Sequence, residues 1–304
     1  MENDLYTTFT GQGEGILRKA LRGVSIMALG KLLTVVIVFF TTVSVQAADG
    51  LPRYTFGIVP QQSSSDLVRT WAPILSYLGD KTGVVFDFAT AKDIPTFEQQ
   101  AVKGEYDFVY LSPYTYTVVH RAAAGYEAFA KERDKKLKGI IVVRRDSPYK
   151  TMRDLNNTTL AFPAAAAFAA TIIPQTYFES EGIKIESKYV SSHESVYLAV
   201  AKGIYPAGGG VVRTFDTMPA ATRDQLRVLW TTPGYTPHPF AAHGRVPKAV
   251  IERLRAAMVA MNQDPQGKLL LDRIAFLKGI SAANDAEYND TRALKITISD
   301  HLIK

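Results

Sequence analysis

From Arg53 onward, short apolar runs alternate with amphipathic helical stretches. That alternation predicts an α/β fold built as two lobes, each a mostly parallel sheet flanked by helices, joined by two crossings of the chain. Length agrees, since 304 residues suffice for two separate cores. A third observation is that apolar runs repeatedly end at hydroxyl-bearing residues. In open α/β sheets ligands bind just beyond the carboxyl ends of the strands.

Tyr54 to Val59 reads as the first strand. Ser63, Ser64, Ser65 and Asp66 then supply capping side chains for a helix whose apolar stripe is Leu67, Trp71, Ile74, Leu75 and Leu78. Pro73 within that stripe predicts a kink or a late helix start. Val84 to Phe88 is a second strand, and a helix over Thr96 to Lys103 leads to a third, Phe108 to Leu111. That strand runs straight into Ser112, Tyr114 and Tyr116.

The next set opens with the strand Gly139 to Arg144, followed by Thr159 to Phe162 and an alanine-rich helix from about Ala165 to Ser180. Lys188 to Val190 is a strand; Ser191 and Glu194 then have capping-box spacing for a helix that Gly203 ends. The run Tyr205 to Val212 passes through Gly208, Gly209 and Gly210. It has neither P-loop nor Rossmann spacing, so it reads as strand whose backbone approaches a neighbour closely. Arg227 to Thr231 is the last strand of this set, and the C-terminal 60 residues read as mostly helical, with Pro247 at a first helical turn. The crossings are expected near Val142 to Arg145 and near His238 to His243. Residues 48–143 and 242–304 would then form one lobe and 144–241 the other.

The first 47 residues read as a cleavable export signal. Arg18, Lys19, Arg22 and Lys31 precede an uncharged run from Leu32 to Val45, and Val45-Gln46-Ala47 offers small side chains to a signal peptidase. Met27 is an alternative start, and a retained anchor is the competing reading of a run rather short for spanning. The chain has no cysteine, which removes disulfides, thiolate metal sites and a lipid-anchor thiol. An exported protein of this composition fits a bacterial periplasm. Its charge of +6 is dispersed, which argues against nucleic-acid binding.

Four junctions place hydroxyls or exposed amides at expected helix starts: Ser63 to Ser65, Ser112 to Tyr116, Ala164 to Phe168, and Ser191 to His193. Helix N-termini carry unpaired N–H groups and suit anions. Singly, such residues cap helices; together they predict one cleft for a small anionic solute. The candidate ligand residues are Ser112, Tyr116, His193 and the amides at Ala165 and Ala166, with Ser64, Ser65 and Tyr114 secondary. No nucleophile elbow or HExxH motif occurs, and His238 and His243 lack neighbouring carboxylates. The residues therefore predict no enzyme, no metal and no cofactor.

Several segments carry a resemblance: Gly57-Ile58-Val59-Pro60, Trp71-Ala72-Pro73-Ile74-Leu75, Gly104-Glu105-Tyr106-Asp107 with Pro113 and Tyr116, Arg145-Asp146-Ser147-Pro148, Asp154-Leu155, Ser192-His193 and Ala207-Gly208-Gly209. In this order and spacing the chain resembles the PhnD-like family of substrate-binding proteins for phosphate, phosphite and phosphonate ABC transporters, over about Tyr54 to Asp264. The resemblance implies a type II periplasmic-binding fold, hinge closure on an oxyanion, and delivery by a monomer to an inner-membrane permease and its ATPase. It also makes Tyr116 the family's binding tyrosine and His193 its cleft histidine. The chain departs from the family at Ala164-Ala165-Ala166, where a hydroxyl cluster is usual, at Ile94, where an aromatic is usual, and at Pro206, where an aspartate is usual. Each lost neutral hydrogen bond forfeits about 0.5–1.5 kcal/mol, so weaker phosphonate binding is expected. The competing functional readings are a sensing module for a membrane receptor and an exported hydrolase.

Overall fold

A serine cap and a left-handed glycine define the longest helix. Ser63 Oγ accepts the amide of Asp66 at 3.2 Å, and the N–H of Gly83, at φ 71°, returns to the Gly79 carbonyl. Between them α1 (Ser64–Thr82) buries Leu67, Trp71, Ile74, Leu75 and Leu78. The helix continues through Pro73, because this buried stripe on both sides outweighs the one backbone bond that proline cannot make. The computed structural model describes residues 50–123, 125–294 and 296. The expected export signal, residues 1–47, lies outside them.

Before α1 comes β1 (Arg53–Ile58); after it come β2 (Val85–Ala89), α2 (Ile94–Val102), β3 (Phe108–Tyr110), α3 (Pro113–Arg121) and β4 (Glu127–Glu132). The middle of the chain gives β5 (Gly139–Arg144), β6 (Thr158–Phe162), α4 (Ile173–Ser180), β7 (Ile185–Tyr189) and α5 (His193–Ala201). Next are β8 (Ala207–Val211), α6 (Val212–Asp216), α7 (Ala220–Arg223) and β9 (Leu226–Thr231). The chain then adds β10 (Pro239–Ala242), α8 (Lys248–Ala260), α9 (Pro265–Arg273), β11 (Ile280–Ala282) and α10 (Asn289–Arg292).

The strands form two sheets, ordered β11-β4-β10-β3-β1-β2 and β7-β6-β8-β5-β9. In the first, β1 pairs in parallel with β2 and β3, and β10 enters antiparallel between β3 and β4. In the second, β6 is parallel to β7 and β8, and β5 runs antiparallel between β8 and β9. Both expected crossings therefore fall inside strands: Val142 to Arg144 are in β5 of the second sheet, and Pro239 to Ala242 are in β10 of the first. The chain passes between the sheets at Leu137–Gly139 and again at Thr232–Tyr235. There Leu137 and Tyr235 exchange backbone bonds of 2.8 and 2.9 Å, and Gly139 N donates to Thr232 Oγ1 at 2.9 Å.

The second sheet buries alternate residues of β5 on opposite faces, Ile140 and Val142 against Tyr197, and Ile141 and Val143 against Phe162 and Phe178. Its central strand must be small. A Cβ on Gly209 would lie 2.0 Å from the Ala170 carbonyl oxygen, and one on Gly210 would lie 2.1 Å from the Tyr197 hydroxyl. The close approach expected of the glycine run is thus the packing of β8 against Ala170 and Tyr197. A single buried cluster runs from Phe56, Trp71, Phe108 and Phe240 of the first lobe to Ala167, Phe168 and Ile172 of the second. The lobes meet through packed apolar surface.

Candidate functional site

Ser112 ends the apolar run of β3 and caps α3, its Oγ accepting the Thr115 amide at 3.1 Å. The two hydroxyls lie 2.8 Å apart, and Thr115 Oγ1 donates to Glu98 Oε1 at 2.6 Å. Glu98 sits on α2, whose start Asp93 fixes by accepting the Thr96 amide at 2.9 Å. Its side chain is buried, and Oε2 has no hydrogen-bond partner. Burial raises its pKa from the usual carboxyl range to about 7, against the opposing effect of the Thr115 bond.

The second lobe contributes His193 at the start of α5. Ser192 caps that helix by accepting the Ser195 amide at 3.1 Å, and Ser191 takes the left-handed conformation at φ 72°. The expected Ser191–Glu194 box does not form. Glu194 instead accepts the Ser63 amide of the first lobe at 2.8 Å. His193 is buried with Nδ1 unpaired; burial, and then the positive charge of Arg213, push its pKa down to about 3. The imidazole is neutral.

Arg213 lies on α6, immediately after β8. The Tyr197 hydroxyl holds this junction, accepting the Val211 amide at 3.0 Å beside Thr214 Oγ1 at 2.9 Å. Arg213 Nη2 donates to Gln61 Oε1 at 2.6 Å, and the guanidinium lies over Tyr110 and Phe276 of the first lobe. With its oxygen taken, Gln61 presents its amide nitrogen 3.2 Å from His238 Nε2. That donor makes Nε2 the acceptor, so His238 carries its proton on Nδ1. Burial, then Arg213 and His193, hold the His238 pKa well below the usual range.

Gln61, Ile94, Glu98, Ser112, His193 and His238 line one void with Ala167 to Ala170. Its volume is about 20 Å³, room for a single water. Thr171 and Ile172 are the first amides to bond back into the following helix, both to the Ala167 carbonyl, at 2.7 and 3.3 Å. The amides of Phe168, Ala169 and Ala170 therefore precede the bonded turn. A wider crevice of about 180 Å³ lies beyond Gln61 and Arg213, bordered by Arg69, Glu194 and Arg273.

The expected site residues separate into those at this void and those away from it. Ser112 and His193 line it. Tyr116 is fully buried in the opposite direction: its hydroxyl donates to Asp285 at 2.8 Å and accepts the Ala128 amide at 3.2 Å. One residue along a helix turns the side chain by about 100°, so Thr115 faces Ser112 and Glu98 while Tyr116 faces β4. Tyr114 borders an outer crevice with Thr117, Arg121, Thr291 and Arg292. Ser64 and Ser65 are exposed at the first turn, where the capping hydroxyl is that of Ser63 and the Ser65 hydroxyl lies 3.1 Å from it. Ala165 is exposed in a turn closed by the Ala167 amide on the Ala164 carbonyl, and Ala166 is buried there. A helical turn over Phe168–Ile172 leads into α4, and the residues of this segment that line the void are Ala167 to Ala170, just beyond Ala165 and Ala166.

Tyr116→Phe is accordingly expected to cost about 1–3 kcal/mol of stability, by leaving Asp285 and the Ala128 amide short of a partner, and to leave solute affinity unchanged. Paired thermal unfolding and calorimetric titration check both halves.

Two α/β lobes with buried polar groups gathered between them define a solute-binding protein of the periplasmic type II kind. The chain belongs to the family of ABC-transporter phosphonate periplasmic substrate-binding proteins, whose profile matches residues 56–288. It is 23% identical over 244 residues, 68% of this chain and 72% of the relative, to the phosphate-import protein PhnD of Mycolicibacterium smegmatis. Among solved structures it is similar to a binding-protein component of an ABC phosphonate transporter from Pseudomonas aeruginosa. That match has a TM-score of 0.74 and 18% identity, and covers 81% of this chain and 86% of the other. It is also similar to PhnD1 of Prochlorococcus marinus in complex with methylphosphonate, with a TM-score of 0.73 and 15% identity, covering 80% and 96%.

Proposed function

We propose that the void between the two sheets is the solute site and that it takes one small oxyanion of the phosphate, phosphite or phosphonate type. The observation that carries this reading is the pair of buried, unpartnered polar atoms at one void, Glu98 Oε2 and His193 Nδ1. Buried polar groups are ordinarily hydrogen-bonded, and two orphans around a common space mark where a polar ligand belongs. The amides of Phe168 to Ala170 add donors from the second lobe, Ser112, whose own O–H is turned to Thr115 Oγ1, lines the void from the first, and Arg213 supplies positive charge behind Gln61. Relatives named for phosphate import and for methylphosphonate support the same ligand class.

The void as it stands is smaller than any of these anions, so binding requires the lobes to part. In this reading residues 51–137 and 236–294 move against 139–232, with Leu137–Gly139 and Thr232–Tyr235 as the hinge. Export uses residues 1–47 as the signal, and the loaded protein hands its solute to a membrane permease driven by an ATPase. Calorimetric titration with phosphate, phosphite, methylphosphonate and 2-aminoethylphosphonate tests the ligand class. Saturable heat from at least one is expected, and silence from all four, with no shift in unfolding temperature, refutes it.

A further inference from the structure

We propose that Glu98 is a ligand-contacting, specificity-determining residue that binds in its neutral acid form, donating the Oε2 proton to an oxygen of the bound oxyanion. This inference deepens the reading above and rests on it. Glu98 and Ile94 are one helical turn apart on α2 and face the void together. The carboxyl group is oriented before any ligand arrives, since Thr115 Oγ1 occupies Oε1 at 2.6 Å and leaves Oε2 as the free atom.

The surroundings favour the acid over the carboxylate. Ile94, Leu137, Val211 and the alanines make the walls apolar, and among the described residues no lysine or arginine forms an ion pair with Glu98. The facing polar groups are Ser112 and Thr115 from α3, His193 from α5, and Gln61 and His238 from the first lobe; both imidazoles are neutral. Arg213 is held on the far side of Gln61. A carboxylate here would repel an anion, whereas the acid offers it a donor in a dry site. The raised pKa of the free protein agrees.

Binding then requires Glu98 to be protonated, so above about pH 7 it takes up a proton along with the anion. The test measures methylphosphonate affinity of the wild type and of Glu98→Gln by calorimetry from pH 6 to 9. The ligand's own titration affects both proteins alike and cancels in their ratio. Glutamine can keep the Thr115 bond on its oxygen and present a permanent N–H donor. Glu98→Gln is expected to bind up to about tenfold more weakly at pH 6. Above neutrality the wild type loses about tenfold per pH unit relative to the variant, so the curves converge and cross. Repeating the titration in buffers of different ionisation enthalpy at pH 8 is expected to show proton uptake in the wild type beyond that of the variant.

Parallel pH profiles overturn the inference while leaving the oxyanion reading intact. A wild-type affinity that rises relative to the variant with pH also overturns it, since the carboxylate would then be accepting a proton from the ligand. Failure of both proteins to bind any of the four anions overturns the site assignment and the inference with it. Infrared absorption of a protonated carboxyl at pH 6.5 in the unliganded wild type, lost in Glu98→Gln, is an expected result that needs no ligand; its absence contradicts a neutral Glu98.

Discussion

Replacing Arg213 with methionine is expected to weaken oxyanion binding by at least about 100-fold, close to 3 kcal/mol. Methionine retains much of the apolar stem and removes the charge, so the effect reports electrostatics more than packing. In the folded chain Arg213 ties the lobes together through Gln61 and lies over the Tyr110 and Phe276 rings at 5.7 and 5.8 Å. A charged hydrogen bond contributes about 1.5–3 kcal/mol and a partly desolvated cation–π contact about 0.5–2 kcal/mol. Both span the two lobes, so parting the lobes would break them. The variant also frees Gln61 to rotate, which releases its donor from His238. Calorimetry gives the affinity and small-angle scattering the degree of closure. An unchanged dissociation constant would remove Arg213 from the site, and an unchanged scattering profile would remove it from the closure.

Acid is expected to open the protein. His193 and His238 are neutral in the closed form, with pKa values pushed to about 3 and well below the usual range, and both regain ordinary values once the cleft admits water. Their folded values are depressed, so the stability they contribute is present above pH 6.5 and is lost as pH falls toward 3. At pH 5 His193 alone has given up about 2 kcal/mol, and His238 adds to the loss in the same direction. Glu98 runs the other way. Its folded value is raised from 4.5 to about 7, so its contribution is complete below pH 4.5 and is lost as pH climbs through 7. At pH 5 it offsets part of the histidine loss. The wild type is therefore expected to show a larger radius of gyration and a lower unfolding temperature at pH 4 than at pH 8. Glu98→Gln, lacking the offset, opens nearer neutrality. Identical scattering across that range, or an opening that sets in only below pH 3, would show that the buried imidazoles do not govern it.

The strands β1, β3, β5 and β6 are legible from their apolar runs, because each is buried over half or more of its length and ends at turn chemistry. The strands β4, β10 and β11 were missed. Pro239 to Ala242 are only four residues long and begin with a proline, and they count as a strand because β3 and β4 flank them. That pairing is long-range and leaves no local periodicity. Ser112 was readable because a capping hydroxyl directly after a strand must sit at its carboxyl end. Glu98 was not: a lone carboxylate among Ile94, Phe97 and Ala101 looks like the solvated edge of an amphipathic helix. Only the second lobe arriving over it, with Ala167 to Ala170 and His193, turns that edge into an interior. Gln61 and Arg213 were hidden for the same reason, since each acquires its meaning from a partner about 150 residues away in sequence. The spacing of Tyr116 from Ser112 satisfies the pattern, while its helical phase carries the side chain to Asp285 and the Ala128 amide instead of the void.

The bond between Leu137 and Tyr235 gives the molecule a modular character. Because the chain leaves the first sheet and re-enters it side by side, residues 138–234 are an insert whose two ends already touch. Such a segment can be exchanged for that of a relative without disturbing the order of the host sheet. The insert carries His193, Arg213 and the amides of Phe168 to Ala170; the host carries Gln61, Glu98, Ser112 and His238. In the proposed site each piece thus supplies part of the lining, and a chimera joined at this ribbon is expected to combine the ligand preferences of its two parents.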